Sequence, residues 1–107
     1  MIPNQLKFLQ DVFFKIDSRY VIYAADILIQ LYRAKSVMSI EEFFRFFRNK
    51  NKVDVWETLM LLNEQGYIFK LKVPATLPTY RLTPLGRTVV YSIREHVYKP
   101  LDTAAGN

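Results

Sequence analysis

Nine side chains in the middle of the chain have the types and spacing to hold phosphate. Arg45, Arg48, Asn49, Lys50, Asn51 and Lys52 fall within eight residues, and Lys70, Lys72 and Arg81 follow. Lysine and arginine neutralise phosphates and release condensed counterions, which supplies most sequence-independent affinity for nucleic acid. The two asparagines add side chains able to reach base edges. From Arg45 to Arg87 there are eight bases and three acids, whereas the rest of the chain has seven of each. The formal net charge of +5 therefore sits wholly in this segment. The plainer reading of such a run is a solvated surface.

Other chemistry is poorly provided for. His96 is the only histidine and has no metal-spaced companion, and Glu41 and Glu42 are adjacent rather than set apart for two-carboxylate catalysis. The absence of cysteine excludes disulfides and thiolate metal sites, and three glycines form no phosphate-cradling loop. The sequence predicts no enzyme, no metal and no cofactor.

The elements that must position the basic residues are readable from apolar spacing. Leu6, Leu9, Phe13 and Ile16 mark one face of a helix over 4–16. A second, over 18–34, is opened by Asp17 or Ser18 and turns Val21, Ala24, Ala25, Leu28 and Leu31 inward. Ser39-Ile40-Glu41-Glu42 is a capping box that starts a third, with Ile40, Phe43, Phe44 and Phe47 inward and Phe46 outside the stripe. Asn49 to Lys52 is a turn into a fourth, where Val55, Leu59 and Leu62 face the core. Gly66 stops that helix. Two strands, 67–73 and 79–82, flank a turn containing Pro74 and Pro78, and alternation puts Lys70 and Lys72 on one side of the ribbon. Thr83-Pro84 caps a last helix to about Tyr98, with Leu85, Val89, Ile93 and Val97 on one face and Val90 and Tyr91 beside it.

The run Val55-Trp56-Glu57-Thr58-Leu59-Met60-Leu61-Leu62-Asn63-Glu64-Gln65-Gly66-Tyr67-Ile68, followed by Tyr80-Arg81-Leu82-Thr83-Pro84-Leu85-Gly86-Arg87, resembles the winged-helix DNA-binding family over roughly residues 20 to 90. The resemblance implies an α+β, mostly α fold: a winged helix-turn-helix with additional N-terminal and C-terminal helices. The expected organisation is a single domain over 1–99, comprising an N-terminal helix (1–17), helix-turn-helix and wing (18–82) and C-terminal helix (83–99). A flexible tail is expected over 100–107. Double-stranded DNA is the implied partner, met by Arg45, Arg48, Asn49, Lys50, Asn51, Lys52, Lys70, Lys72 and Arg81.

The helix that reads the major groove in that family departs from the pattern here. Its outer positions hold Trp56, Glu57, Met60 and Leu61, which suit base edges poorly. With 50% hydrophobic and 15% aromatic residues, the chain also has more apolar material than one small domain usually hides. A homodimer is therefore expected, with Trp56, Met60, Leu61, Val90 and Val97 at its interface, similar in arrangement to the centromere-binding adaptors of tubulin-like plasmid and phage segregation systems. The expected function is that of a small transcription regulator or DNA-segregation adaptor; the alternative is a protein-interaction module that binds no DNA, with a second protein docked on this helix or the last. No stretch approaches the ~18 to 20 apolar residues of a membrane span, and the start does not resemble a signal peptide, so a soluble, cytoplasmic protein is expected.

Overall fold

The computed structural model describes residues 3–71 and 77–98. The expected Pro74 turn, Lys72 and the tail over 100–107 lie outside the described residues. In chain order the elements are α1 (Pro3–Val12), α2 (Val21–Arg33), β1 (Val37–Ser39), α3 (Ile40–Phe46), α4 (Lys52–Glu64), β2 (Ile68–Leu71), β3 (Thr79–Leu82) and α5 (Pro84–Ile93). A short 3₁₀ turn, Ser18–Tyr20, leads into α2, and a π-helical turn, Arg94–Tyr98, continues α5.

Helix α2 is the axle of the molecule. Val21, Ala24, Ala25, Ile27, Leu28, Ile29 and Leu31 are all buried, more than one stripe of it, because α1, α4, α5 and the sheet pack around it. Each large aliphatic chain so buried contributes roughly 1.5–3 kcal/mol. The other helices present single faces: Leu9, Phe13 and Ile16 from α1 and the turn after it, Ile40, Phe43 and Phe47 around α3, and Val55, Leu59 and Leu62 from α4. These are the inward residues expected from spacing. The first helix is shorter than expected, ending at Val12, with Phe13 and Ile16 buried from an irregular turn.

Strand β1 has no counterpart in the sequence reading. The sheet order is β1-β3-β2, all antiparallel, with Val37 opposite Arg81 and Met38 opposite Tyr80. The chain is turned into β1 by Lys35 and Ser36, both left-handed at φ 59° and 73°, which is costly for residues with a Cβ. The Ser36 N–H bonds back to the Leu31 carbonyl (2.8 Å), and its own carbonyl accepts from the Leu82 N–H (2.9 Å).

The last helix is rotated relative to the spacing Leu85-Val89-Ile93-Val97. Its buried stripe is Gly86, Val90, Ile93 and Val97, and Leu85 is exposed. Gly86 sets this rotation. A Cβ built there would lie 2.0 Å from the Tyr67 carbonyl oxygen, so the start of α5 presses directly onto backbone. Thr83 holds it in place. Its Oγ1 accepts from the Gly86 N–H (3.0 Å) and donates to the Gly66 carbonyl (2.6 Å), with the Tyr67 carbonyl also 2.9 Å away. The α4 end beneath it closes as predicted at Gly66 (φ 82°), with Gly66 N–H on the Asn63 carbonyl (3.2 Å) and Tyr67 N–H on that of Leu62 (3.0 Å).

A methyl group at Gly86 must therefore push α5 off the α4–β2 corner. Gly86→Ala is expected to lower stability by about 3 kcal/mol, the upper end of overpacking costs, measured by urea denaturation; a loss below about 0.5 kcal/mol would show that the corner yields freely.

Candidate nucleic-acid interface

The basic turn is built by two caps. The Ser39 Oγ accepts from the Glu42 N–H while the Glu42 carboxylate accepts from the Ser39 N–H, fixing α3. Asn51 then caps α4, its side-chain oxygen accepting from Val53 N–H (2.8 Å) and Asp54 N–H (3.3 Å). That oxygen is committed to the helix end, which leaves the side-chain NH2 of Asn51 as the part able to meet a base edge. Asn49 is exposed beside it.

Arg45, Arg48, Lys50 and Lys52 are all exposed around this turn. The two lysine ammoniums sit over aromatic rings: Lys50 Nζ lies 5.9 Å from the Tyr23 ring and Lys52 Nζ 5.7 Å from that of Phe44. Arg45 and Arg48 flank Phe46, which stands out from the surface and meets Phe47 edge-on at 4.9 Å. A cationic crest thus runs along the end of α3 and the turn into α4, where the α4 dipole also favours anions, while the Val53 and Asp54 N–H groups are already taken by Asn51.

The wing divides its cations between two faces. Cross-strand partners are Phe69↔Arg81 and Lys70↔Tyr80. Lys70 shares the side of buried Tyr80 and borders a groove with Trp56, Met60, Asn63 and Glu64 of α4. Arg81 points the other way, its guanidinium 5.9 Å from the Phe69 ring. Lys70 and Arg81, read from sequence as members of one set, are thus presented on opposite sides of the wing. The Lys70 N–H donates to the Asn63 side chain (3.1 Å), which ties the wing to α4.

The outer face of α4 is apolar. Val53, Trp56 and Met60 are 60%, 48% and 43% exposed and lie at i, i+3 and i+7, one stripe down the helix. Val53 was not singled out from sequence, although that spacing carries the signal. Leu61, expected on this stripe, is instead partly buried against the protomer's own core. Val90 and Val97 are fully buried within the protomer. They offer no surface to a second copy, and their assignment to an interface is corrected. Their burial follows from the rotation of α5 and from α1 packing over the π turn, where Gln5 Nε2 donates to the Val97 carbonyl (3.4 Å).

Glu57 is not turned toward the cationic crest. Its carboxylate accepts a hydrogen bond from the Tyr20 hydroxyl at the base of α2. His96 stacks near Phe8, ring centres 4.7 Å apart, and among the described residues no group of acids or histidines could hold a metal. No described helix is long and apolar enough to cross a membrane.

The succession of helix, short strand, two helices, two-stranded wing and helix defines a winged-helix-like domain of the α+β class, mostly helical. Among solved structures it is similar to one described as the mechanism for regulation of DNA binding of Bordetella bronchiseptica BpsR by 6-hydroxynicotinic acid, with a TM-score of 0.63 over 94% of this chain and 70% of that one. Sequence identity is 14%, so the likeness is one of fold. No protein-family model and no curated protein matches the sequence.

The Tyr20–Glu57 bond leaves a pH signature. Donation to the carboxylate, then burial, raises the Tyr20 hydroxyl above its usual value near 10, and burial raises Tyr67 and Tyr80. A group with a raised folded value contributes its stability fully below the unfolded value and loses it as pH climbs through the folded one. Urea midpoints should therefore hold level to about pH 9 and fall above about pH 10. The fall should be shallower in Tyr20→Phe; an identical alkaline profile in that variant would rule out the Tyr20 contribution.

Proposed function

We propose that this chain binds double-stranded DNA as a homodimer, acting as a small transcription regulator or a DNA-segregation adaptor. The observation that carries the reading is the cationic crest of Arg45, Arg48, Lys50 and Lys52 along the end of α3 and the turn into α4, in a winged-helix-like fold. Phosphates of one strand meet the crest, Asn49 lies within reach of a base edge, and Lys70 contacts the backbone farther along; Lys72 is kept as a further phosphate contact on the sequence pattern alone. Fold likeness to BpsR, a protein whose DNA binding is regulated, supports the assignment.

Helix α4 does not read bases in this scheme. Val53, Trp56 and Met60 lack the donors and acceptors that discriminate base pairs. They form the dimer seam instead, since a stripe of this kind placed against its own symmetry mate makes a self-complementary contact. The same stripe favours the second reading, in which α4 docks a different protein and the chain binds no DNA.

Fluorescence anisotropy on a random-sequence duplex across a salt series separates the two. Lys50→Glu with Lys52→Glu is expected to weaken binding at least tenfold and to flatten the log–log salt slope by about 1.8, two phosphate contacts' worth; unaltered affinity in that variant removes the crest from the interface. For the dimer, sedimentation of Met60→Glu is expected to show a monomer with native circular dichroism, whereas an unchanged dimer would place the seam elsewhere.

A further inference from the structure

The outer face of the sheet carries a second arrangement that the duplex reading does not use. Phe69 and Arg81 stand side by side across β2 and β3. Beside them Arg87 and Tyr91 project from α5, and these four line one open groove with Leu82, Thr83, Pro84 and Thr88. The groove has a volume of about 670 Å³, and no acidic residue lines it among the described residues. Beyond Tyr91 the pattern continues: its ring meets Tyr32 edge-on at 5.8 Å, and the Arg94 guanidinium lies 5.4 Å from the Tyr32 ring. Arg87, Tyr91 and Arg94 are at i, i+4 and i+7, on one side of the last helix and its π turn.

Guanidiniums and rings are therefore gathered on one strip, and each arginine has a protein contact of its own. Arg81 rests on Phe69, Arg94 on Tyr32, and Arg87 donates to the Ser36 hydroxyl (3.1 Å). Fixing a guanidinium through one edge or face leaves its remaining N–H groups oriented outward, where the fork matches phosphate oxygens. Phe69 and Tyr91 are each about half exposed, at 51% and 48%. Planar apolar faces interleaved with cations are the combination that takes unpaired bases: the rings stack bases and the arginines hold the phosphates between them.

We propose that this strip binds a short single-stranded nucleic-acid segment, with bases on Phe69 and Tyr91 and phosphates on Arg81, Arg87 and Arg94. Duplex DNA fits it less well, because duplex bases are already stacked on each other and leave the exposed rings without a partner. An acidic peptide would require the cations alone and gives no role to the half-exposed rings of Phe69 and Tyr91. Phe69 and Arg81 lie on the sheet face away from Lys70 and α4, and none of the strip residues is among the proposed duplex contacts.

The test is anisotropy of the full chain with a labelled oligo(dT) of about twelve nucleotides, within the usual range of single-strand site sizes, beside the random duplex. Phe69→Ala and Tyr91→Leu are each expected to weaken oligo(dT) binding at least about fivefold, as the loss of one stacked base does, and to leave duplex affinity unchanged. Tyr91→Leu keeps apolar contact with Tyr32, and native circular dichroism certifies the fold. Ultraviolet crosslinking of oligo(dT) to the wild-type chain is expected at Phe69 or Tyr91. Loss of oligo(dT) binding in Lys50→Glu/Lys52→Glu but not in the strip variants would overturn the proposal, since one site would then serve both ligands. So would absence of oligo(dT) binding at low salt, or preferential binding of an oligoglutamate peptide that the Arg81→Glu variant abolishes.

Discussion

The contact between Gly86 and the Tyr67 carbonyl is the constraint from which the layout of this protein follows. Two backbones approach more closely there than any Cβ permits, and Thr83 bonds to both sides of the junction. The end of α4, the first residue of the wing and the first turn of α5 are thereby fixed at one point. Three of the surfaces proposed to meet partners are hung from it: the apolar stripe of α4 on one side, the paired strands in the middle and the arginine-bearing side of α5 on the other; the cations around Lys50 lie at the opposite end of α4. A shift at this corner would move all three together.

The two faces of the wing show how register assigns chemistry. Pairing Phe69 with Arg81 and Lys70 with Tyr80 sends one cation toward α4 and the other away, so a ribbon of only four residues per strand serves two surfaces. The return strand is held along its length. Leu82 N–H bonds to the Ser36 carbonyl, and the Pro78 carbonyl accepts from Ile40 N–H at 2.8 Å. A wing anchored at both ends of β3 presents Arg81 and Lys70 at set positions relative to the helices.

Much of the fold was legible because its signals are local. The capping box at Ser39, the stop at Gly66 and the Thr83-Pro84 start each depend on a few neighbouring residues, and each forms as read. What the sequence concealed depends on tertiary choice. Strand β1 is three residues long and is introduced by left-handed Lys35 and Ser36, where no glycine announces the turn. The last helix offers two apolar stripes that share Ile93 and Val97; the demand that Gly86 face Tyr67 selects between them, exposing Leu85 and burying Val90. The candidate site was partly visible: the cations around Lys50 are exposed as their spacing suggests, whereas the separation of Arg81 from Lys70 required the cross-strand register.

The seating of α1 against the π turn brings the two ends of the described chain together, with Gln5 bonded to the Val97 carbonyl and Phe8 beside His96. Elements far apart in sequence are therefore neighbours in space. Sequence order in this protein is thus separable from spatial order: α1 and the end of α5 behave as one continuous layer over α2, although they stand at opposite extremes of the described chain.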